Sequence, residues 1–480
     1  MIFFNLPIIP AYCTTCGTML WDDIIYVALL LLVIEIGPFY REIKDVKVKQ
    51  WTSTAIGFIL TLIVSGRYVF HPIITTVINA IIITKLSPKI CHLTSLFFSF
   101  FYLLLVFRLG ELVDAFPIPP THTNLIVMIL TIKLSGLAFE INTASNPPAD
   151  DDPEGKCSEA LKKIEFMDVI HYGYSYFGLL TGPHYRYRTY WDSLHRPFAK
   201  HADPWPLTFY KLKQIAVFIV MFLILADIFP SQYAASEEFS QRSFLYKHMY
   251  MLPAFFVFRL RMYIGMILAE CACQMAGCGV YPASSKPVQG LGPRDYKTIR
   301  ELSETPEKLK DIEYNYDTVH NMNVWQVETC IQVRTAMKVW NTCIQYWMAT
   351  CIYKRFPYKP MRTLATFTLS ALWHGYAPGY YLCICQIPAF LIVEDMCLKF
   401  YKHSKEGSFA KKGWHVFMWI LKTNYMAYLA MPFLILDVQD VFKYYKAVYY
   451  VGHIEGVILF IVFCLLKPYL LTDKEEEKKK

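Results

Sequence analysis

Residues 212–230 read LKQIAVFIVMFLILADIFP. A helix that crosses a bilayer needs about 20 mostly apolar residues, and this run supplies them. Similar runs lie before it at 24–40, 53–66, 68–84, 91–109 and 124–140. Others follow at 247–272, 326–352, 363–377, 380–400, 414–436 and 447–469. Only helices or closed barrels satisfy their own backbone in lipid. The expected fold is therefore all-α: a polytopic transmembrane helical bundle of about 10–12 spans with short amphipathic or re-entrant helices. Residues 1–472 read as one integral membrane domain and 473–480 as a charged cytosolic tail.

Composition points the same way. Of 480 residues 55% are apolar and only 18% charged, too little charge to cover a soluble protein of this size. Aromatics reach 16%, and Tyr and Trp concentrate at membrane interfaces. Residues 1–12 carry no basic n-region, so the run from Ile24 reads as a first span and not as a signal peptide. The net charge of +8 is spread over short loops. That pattern suits anionic headgroups or phosphorylated small molecules and argues against nucleic acid. The 14 cysteines mostly sit singly in apolar runs, as small hydrophobes. Cys13 and Cys16 form a lone CxxC, a weak metal or redox signal.

The loops alternate in charge. Segments 41–49, 85–89, 156–213, 286–310 and 402–412 are basic, whereas 110–123 and 231–243 are acidic. The positive-inside rule then places the basic loops and the C-terminus in the cytosol and the N-terminus outside it. By this count segment 326–352 begins and ends on the same side. It is expected to be a pair of short helices or one helix lying low in the membrane. Residues 145–164 read as a polar loop, and 282–312 as a loop followed by a short surface helix.

Polar side chains inside apolar runs are costly and mark candidate functional sites. If 326–352 is helical, Arg334, Lys338, Asn341 and Gln345 share one face. That stripe suits a cavity or, equally, an interfacial helix with its polar side in water. The second cluster is Trp373-His374-Gly375, approached by Thr366 and Ser370 on preceding turns. A lone His there is as readily structural as catalytic. No HExxH, paired CxxC, GxSxG, Walker A, GxGxxG or HxxxxD string is present. No metal and no cofactor is expected.

Three blocks resemble signatures of the membrane-bound O-acyltransferase family. They are Thr181-Gly182-Pro183-His184-Tyr185-Arg186-Tyr187-Arg188-Thr189-Tyr190-Trp191, then Val339-Trp340-Asn341-Thr342-Cys343-Ile344-Gln345-Tyr346-Trp347, then Ser370-Ala371-Leu372-Trp373-His374-Gly375-Tyr376-Ala377-Pro378-Gly379-Tyr380-Tyr381. The chain is most similar to the lysophosphatidylinositol acyltransferase branch, departing from it at His184. The resemblance implies helices around a substrate tunnel, acyl-CoA as co-substrate from the cytosol, and a lysophospholipid from the bilayer of the endoplasmic reticulum. It also implies that Asn341 and His374 are the catalytic pair.

An imidazole, with an unperturbed pKa of about 6.5, is the natural base for deprotonating a glycerol hydroxyl. Asn341 is suited to donate to the thioester oxygen or to orient the hydroxyl. Arg334, Lys338, Gln345, Ser370, Tyr185, Arg186 and Arg188 are candidate substrate-binding residues. Lys354, Arg355, Lys359 and Arg362 are further candidates for the CoA phosphates. Two alternatives stay open. One is a different acceptor: another lysolipid headgroup, a protein or a sterol. The other is a transporter or channel, which the lack of two related halves disfavours.

Overall fold

The computed structural model describes residues 21–113, 116–145 and 159–477. The Cys13–Cys16 pair, Asp114, most of the 145–164 loop and Lys478–Lys480 lie outside the described residues. Packing divides the chain into two compact units. The first comprises Met1–Phe222, Leu260–Asn323 and Trp340–Arg362; the second comprises Leu223–Arg259, Val324–Val339 and Thr363–Lys480.

The first unit is organised around the helix Thr121–Ser145, whose apolar window is 94% buried. Its apolar residues are spread over all its faces, as suits a helix enclosed by others. The helices Phe70–Lys85 and Pro88–Phe101 pack on it and on each other. Within that layer Asn79 Nδ2 donates to Ser99 Oγ at 2.9 Å and Ser95 Oγ donates to Asn79 Oδ1. Such bonds join helices where no hydrophobic force separates lipid from protein. Lys133 is also buried in this helix. Its Nζ donates to Ser175 Oγ at 2.8 Å and sits over the rings of Tyr172 and Tyr185, 4.9 and 4.8 Å from their centroids.

The opening run behaves in the opposite way. Only 6% of the apolar window in Trp205–Ala235 is buried within the protein, so its surface suits acyl chains. Apolar runs thus serve a protein core in one helix and a lipid face in another.

The second unit is built from Pro378–Ile384, Ile387–His403, Phe409–Ile435, Val438–Ala447 and Val451–Glu477. Phe390, Tyr425, Tyr428, Met431 and Tyr444 fill its core. The last helix continues through residues 473–477, so the charged tail begins as helix. Gly379 marks a close approach of two backbone segments. Its N–H donates to Leu436 O at 2.9 Å, and an added Cβ would lie 2.1 Å from Pro432 O. Gly379→Ala is therefore expected to destabilise the protein by about 1–3 kcal/mol through overpacking against backbone. A lowered thermal midpoint in detergent checks this; an unchanged midpoint contradicts it.

Among the described residues seven helices are long and apolar enough to cross a membrane, or up to eight if the 63° bent pair Val438–Ala447 and Val451–Leu466 counts as one span. Several of the apolar runs do not form a separate helix of this kind. The runs at 53–66 and 68–84 join in Val46–Lys85. The run at 363–377 forms a helix of only 13 residues, Arg362–His374. Phe409–Ile435 is long but carries Lys422 and Asn424 within its apolar stretch.

Segment 326–352 resolves into short pieces: Val324–Thr329, Val333–Lys338, Thr342–Trp347 and a π-helical turn Met348–Tyr353. The single polar helical face expected for Arg334, Lys338, Asn341 and Gln345 therefore does not exist. The helix breaks between Lys338 and Thr342, where Asn341 adopts φ 50° and ψ 49°. The Pro/Gly-rich region forms a loop and the helix Tyr296–Glu304. It also carries a two-stranded antiparallel pairing of Tyr281 with Asn315 and Pro282 with Tyr314.

Candidate active site

Asn341 occupies the cap position of the helix Thr342–Trp347, but its side chain does not cap that helix. A capping Asn ordinarily accepts from the second or third helical N–H. Here Thr342 N donates to Asn321 O at 2.9 Å and Cys343 N donates to Asn321 Oδ1 at 3.1 Å. Asn341 Oδ1 is buried and has no hydrogen-bond partner among the described residues. A buried acceptor left unmade is costly, and this oxygen is available to a donor. The left-handed backbone is one that Asn tolerates better than most residues.

The rest of the second block holds this turn in place. Gln345 Nε2 donates to Trp340 O. The Trp340 ring packs on Tyr263 at 5.9 Å, and Met322 pairs with Trp340 in an antiparallel bridge. Trp347 and His184 converge on Gly136, whose missing Cβ would lie 3.1 Å from His184 Cε1 and 3.2 Å from Trp347 Cδ1. Burial, aided by the charges of Lys133 and Arg186, pushes the His184 imidazole down to about 3, so it stays neutral.

The first block is tied to the same unit by residues that already have partners. Tyr185 Oη donates to Phe177 O and shares a bond with Ser175 Oγ, both at 2.8 Å. Arg186 pairs with Glu140, whose second oxygen accepts from Tyr187 N at 2.8 Å. Arg188 lies 3.6 Å from Asp192 and stacks over Tyr296. Arg355 donates to Asn142 and Thr143, and Arg362 to Phe356 O. Lys354 and Lys359 are exposed.

In the second unit His374 ends the helix Arg362–His374. Its ring meets Trp373, Tyr380 and Phe433 at centroid distances of 5.1, 5.7 and 5.1 Å. Gly375 follows with φ 147°, which favours glycine and turns the chain away from the helix. Tyr381 Oη donates to Gly375 O at 3.1 Å. Ser370 lies one turn before His374 and is half-buried.

The short helices Val324–Thr329 and Val333–Lys338 are fastened by charged groups of this unit. Glu394 accepts from Val333 N and Arg334 N. Lys422 Nζ donates to Val327 O and Glu328 O. Arg259 forms a two-bond pair with Glu328. Arg334 pairs with Asp395 at 2.6 Å, whereas Lys338 is exposed.

Several of these residues were not singled out from sequence. Glu140, Lys133, Glu270 and Glu394 all lie in apolar runs, and an ionisable residue there is itself the signal. Asn321 sits in a polar loop and gives no such signal. Among the described residues no group of three or more His, Cys, Asp or Glu side chains is placed to hold a metal ion.

Comparison with known proteins agrees with the three blocks. The model of the membrane-bound O-acyltransferase family matches residues 152–436. A Drosophila melanogaster protein named membrane-bound acylglycerophosphatidylinositol O-acyltransferase is 37% identical over 451 residues, covering 90% of each chain. Proteins of the same name from Xenopus laevis and Homo sapiens are 33% and 32% identical. The first alignment covers 95% of this chain and 97% of the relative, the second 89% and 90%.

Proposed function

We propose, from the premise that the chain belongs to the membrane-bound O-acyltransferase family, that it transfers a fatty acyl group from acyl-CoA to the free glycerol hydroxyl of lysophosphatidylinositol. The observation that carries the site assignment is the Asn341 amide, spared from capping its own helix and left with a buried, unpartnered oxygen. The acceptor headgroup follows the relatives, which are named for acylglycerophosphatidylinositol.

In this reading His374 removes the hydroxyl proton as the oxygen attacks the thioester carbonyl. The C–O bond forms, the C–S bond breaks, and the proton passes to the departing CoA thiolate. Asn341 Oδ1 accepts from a donor of the bound substrates other than the reacting hydroxyl, whose one proton goes to His374, and its amide N–H groups serve the oxygen on which negative charge develops. No acyl-enzyme is required. Lys338, Lys354 and Lys359 are exposed cations suited to the CoA phosphates. Arg334, Gln345, Ser370, Tyr185, Arg186 and Arg188 complete the proposed substrate-binding set; most already hold protein partners, which suits shaping the site. The proposed location is the endoplasmic reticulum membrane, with the C-terminus in the cytosol.

The test is a headgroup panel with purified protein in detergent. Lysophosphatidylinositol is expected to be acylated at least about tenfold faster, by kcat/KM, than the choline, ethanolamine or serine lysolipids, a difference of about 1.4 kcal/mol. Equal rates across the panel would remove the inositol assignment, and no CoA-dependent product with any lysolipid would remove the reaction.

A further inference from the structure

We infer that Asn321 is a positioning residue for Asn341, and that Glu270 anchors the loop that carries it. This rests on the assignment of Asn341 to the reaction. The helix Thr342–Trp347 begins with N–H groups that need acceptors. Asn321 meets the first with its carbonyl and the second with its side chain. Thr342 Oγ1 adds a bond to His320 O at 2.6 Å. The loop thus takes over the work that a cap residue usually does.

The loop is itself fixed from within the same unit. Glu270 is fully buried, and each of its oxygens accepts twice. One takes the N–H groups of Asn321 and Met322 at 2.7 and 2.9 Å. The other takes Lys211 Nζ at 2.7 Å and His320 Nδ1 at 3.1 Å. A buried carboxylate with all its acceptor sites filled is rigid, and it fixes what it binds. Burial alone would lower the His320 pKa, but the Glu270 carboxylate outweighs it and holds the group above its ordinary value.

Without the Asn321 side chain, the Cys343 N–H loses its acceptor. The nearest replacement in type is the Asn341 oxygen, in the role capping asparagines usually play. Capture there would turn the amide away from substrate while leaving the fold largely intact.

The experiment compares Asn321→Ala, Asn321→Asp and Asn341→Ala in detergent, with both substrates varied. Asn321→Ala is expected to lower kcat about 10²-fold, as small misplacements of reacting groups do. KM for acyl-CoA and lysolipid should stay within about twofold, the signature of a loss confined to the transition state. Asn321→Asp keeps the acceptor and should recover most of the turnover. In an Asn341→Ala background, Asn321→Ala should cause no further loss, because the two residues act as one. Parent-level kcat in Asn321→Ala beside an inactive Asn341→Ala overturns the positioning role. A full additional loss in the double variant also overturns it, making Asn321 a fold residue. Full activity in Asn341→Ala instead overturns the underlying assignment. If Asn321→Ala does not accumulate, Glu270→Gln replaces it: lowered kcat at constant KM supports the inference, and unchanged kcat overturns it.

Discussion

Replacing His374 with alanine is expected to lower acyl transfer by about 10²–10⁴-fold, the usual contribution of a positioned general base. The imidazole ends its helix, and the ring is set by Trp373, Tyr380 and Phe433. Gly375 and the Tyr381 bond to its carbonyl fix the turn that follows. A ring held on three sides by aromatic groups keeps one orientation without help from substrate, which is the preorganisation a base needs. The alternative is that His374 only fills this aromatic pocket. His374→Phe discriminates, because it keeps the ring contacts and removes the nitrogens. Both variants should be equally inactive in saturating initial-rate assays, with elution from size exclusion like the parent. Activity in His374→Phe above about a tenth of the parent would return the residue to a packing role.

Much of this was legible in sequence, for identifiable reasons. Spans declare themselves because lipid demands long apolar runs. The three blocks declare themselves because short strings such as Trp373-His374-Gly375 are unusual in such runs. The backbone at Asn341 was not legible. Periodicity extends a helix through Arg334, Lys338, Asn341 and Gln345, whereas the chain turns left-handed there. The reason is tertiary: Asn321, Met322 and Trp340 make the turn cheaper than the continued helix by meeting its polar groups. Pattern reading has no access to partners about 20 residues away in a loop.

Three glutamates share one job. Glu140, Glu270 and Glu394 come from long apolar helices, and each accepts from backbone N–H groups of a motif block or of a segment beside one. Glu140 holds the first block at Tyr187. Glu270 holds the loop that caps the second block, and Glu394 holds the short helix that precedes it. A carboxylate in a span is stable only where donors surround it; the positive end of a short helix provides them for Glu140 and Glu394, and loop amides with Lys211 and His320 provide them for Glu270. These three acids are fastenings for irregular backbone, which lipid otherwise forbids.

Asn341→Gly gives the sharpest reading of the second catalytic candidate. At φ 50° and ψ 49° the position suits Asn and Gly and strains alanine. Strain from alanine costs roughly 1 kcal/mol in the left-handed region, so the loss in Asn341→Ala mixes backbone and amide effects. Glycine removes only the amide. If the amide stabilises the transition state, Asn341→Gly should lose about 10²–10³-fold in kcat, as removal of one such donor does. Its thermal midpoint should stay near the parent's, because Thr342 and Cys343 remain capped by Asn321. Asn341→Asp should be as inactive, since a carboxylate keeps the acceptor but lacks the donor. If the residue serves only to turn the chain, the order reverses: Gly keeps parent turnover, Asp loses little, and Ala is the weakest of the three. Those two orderings do not overlap, so three kcat values and three melting curves assign the residue.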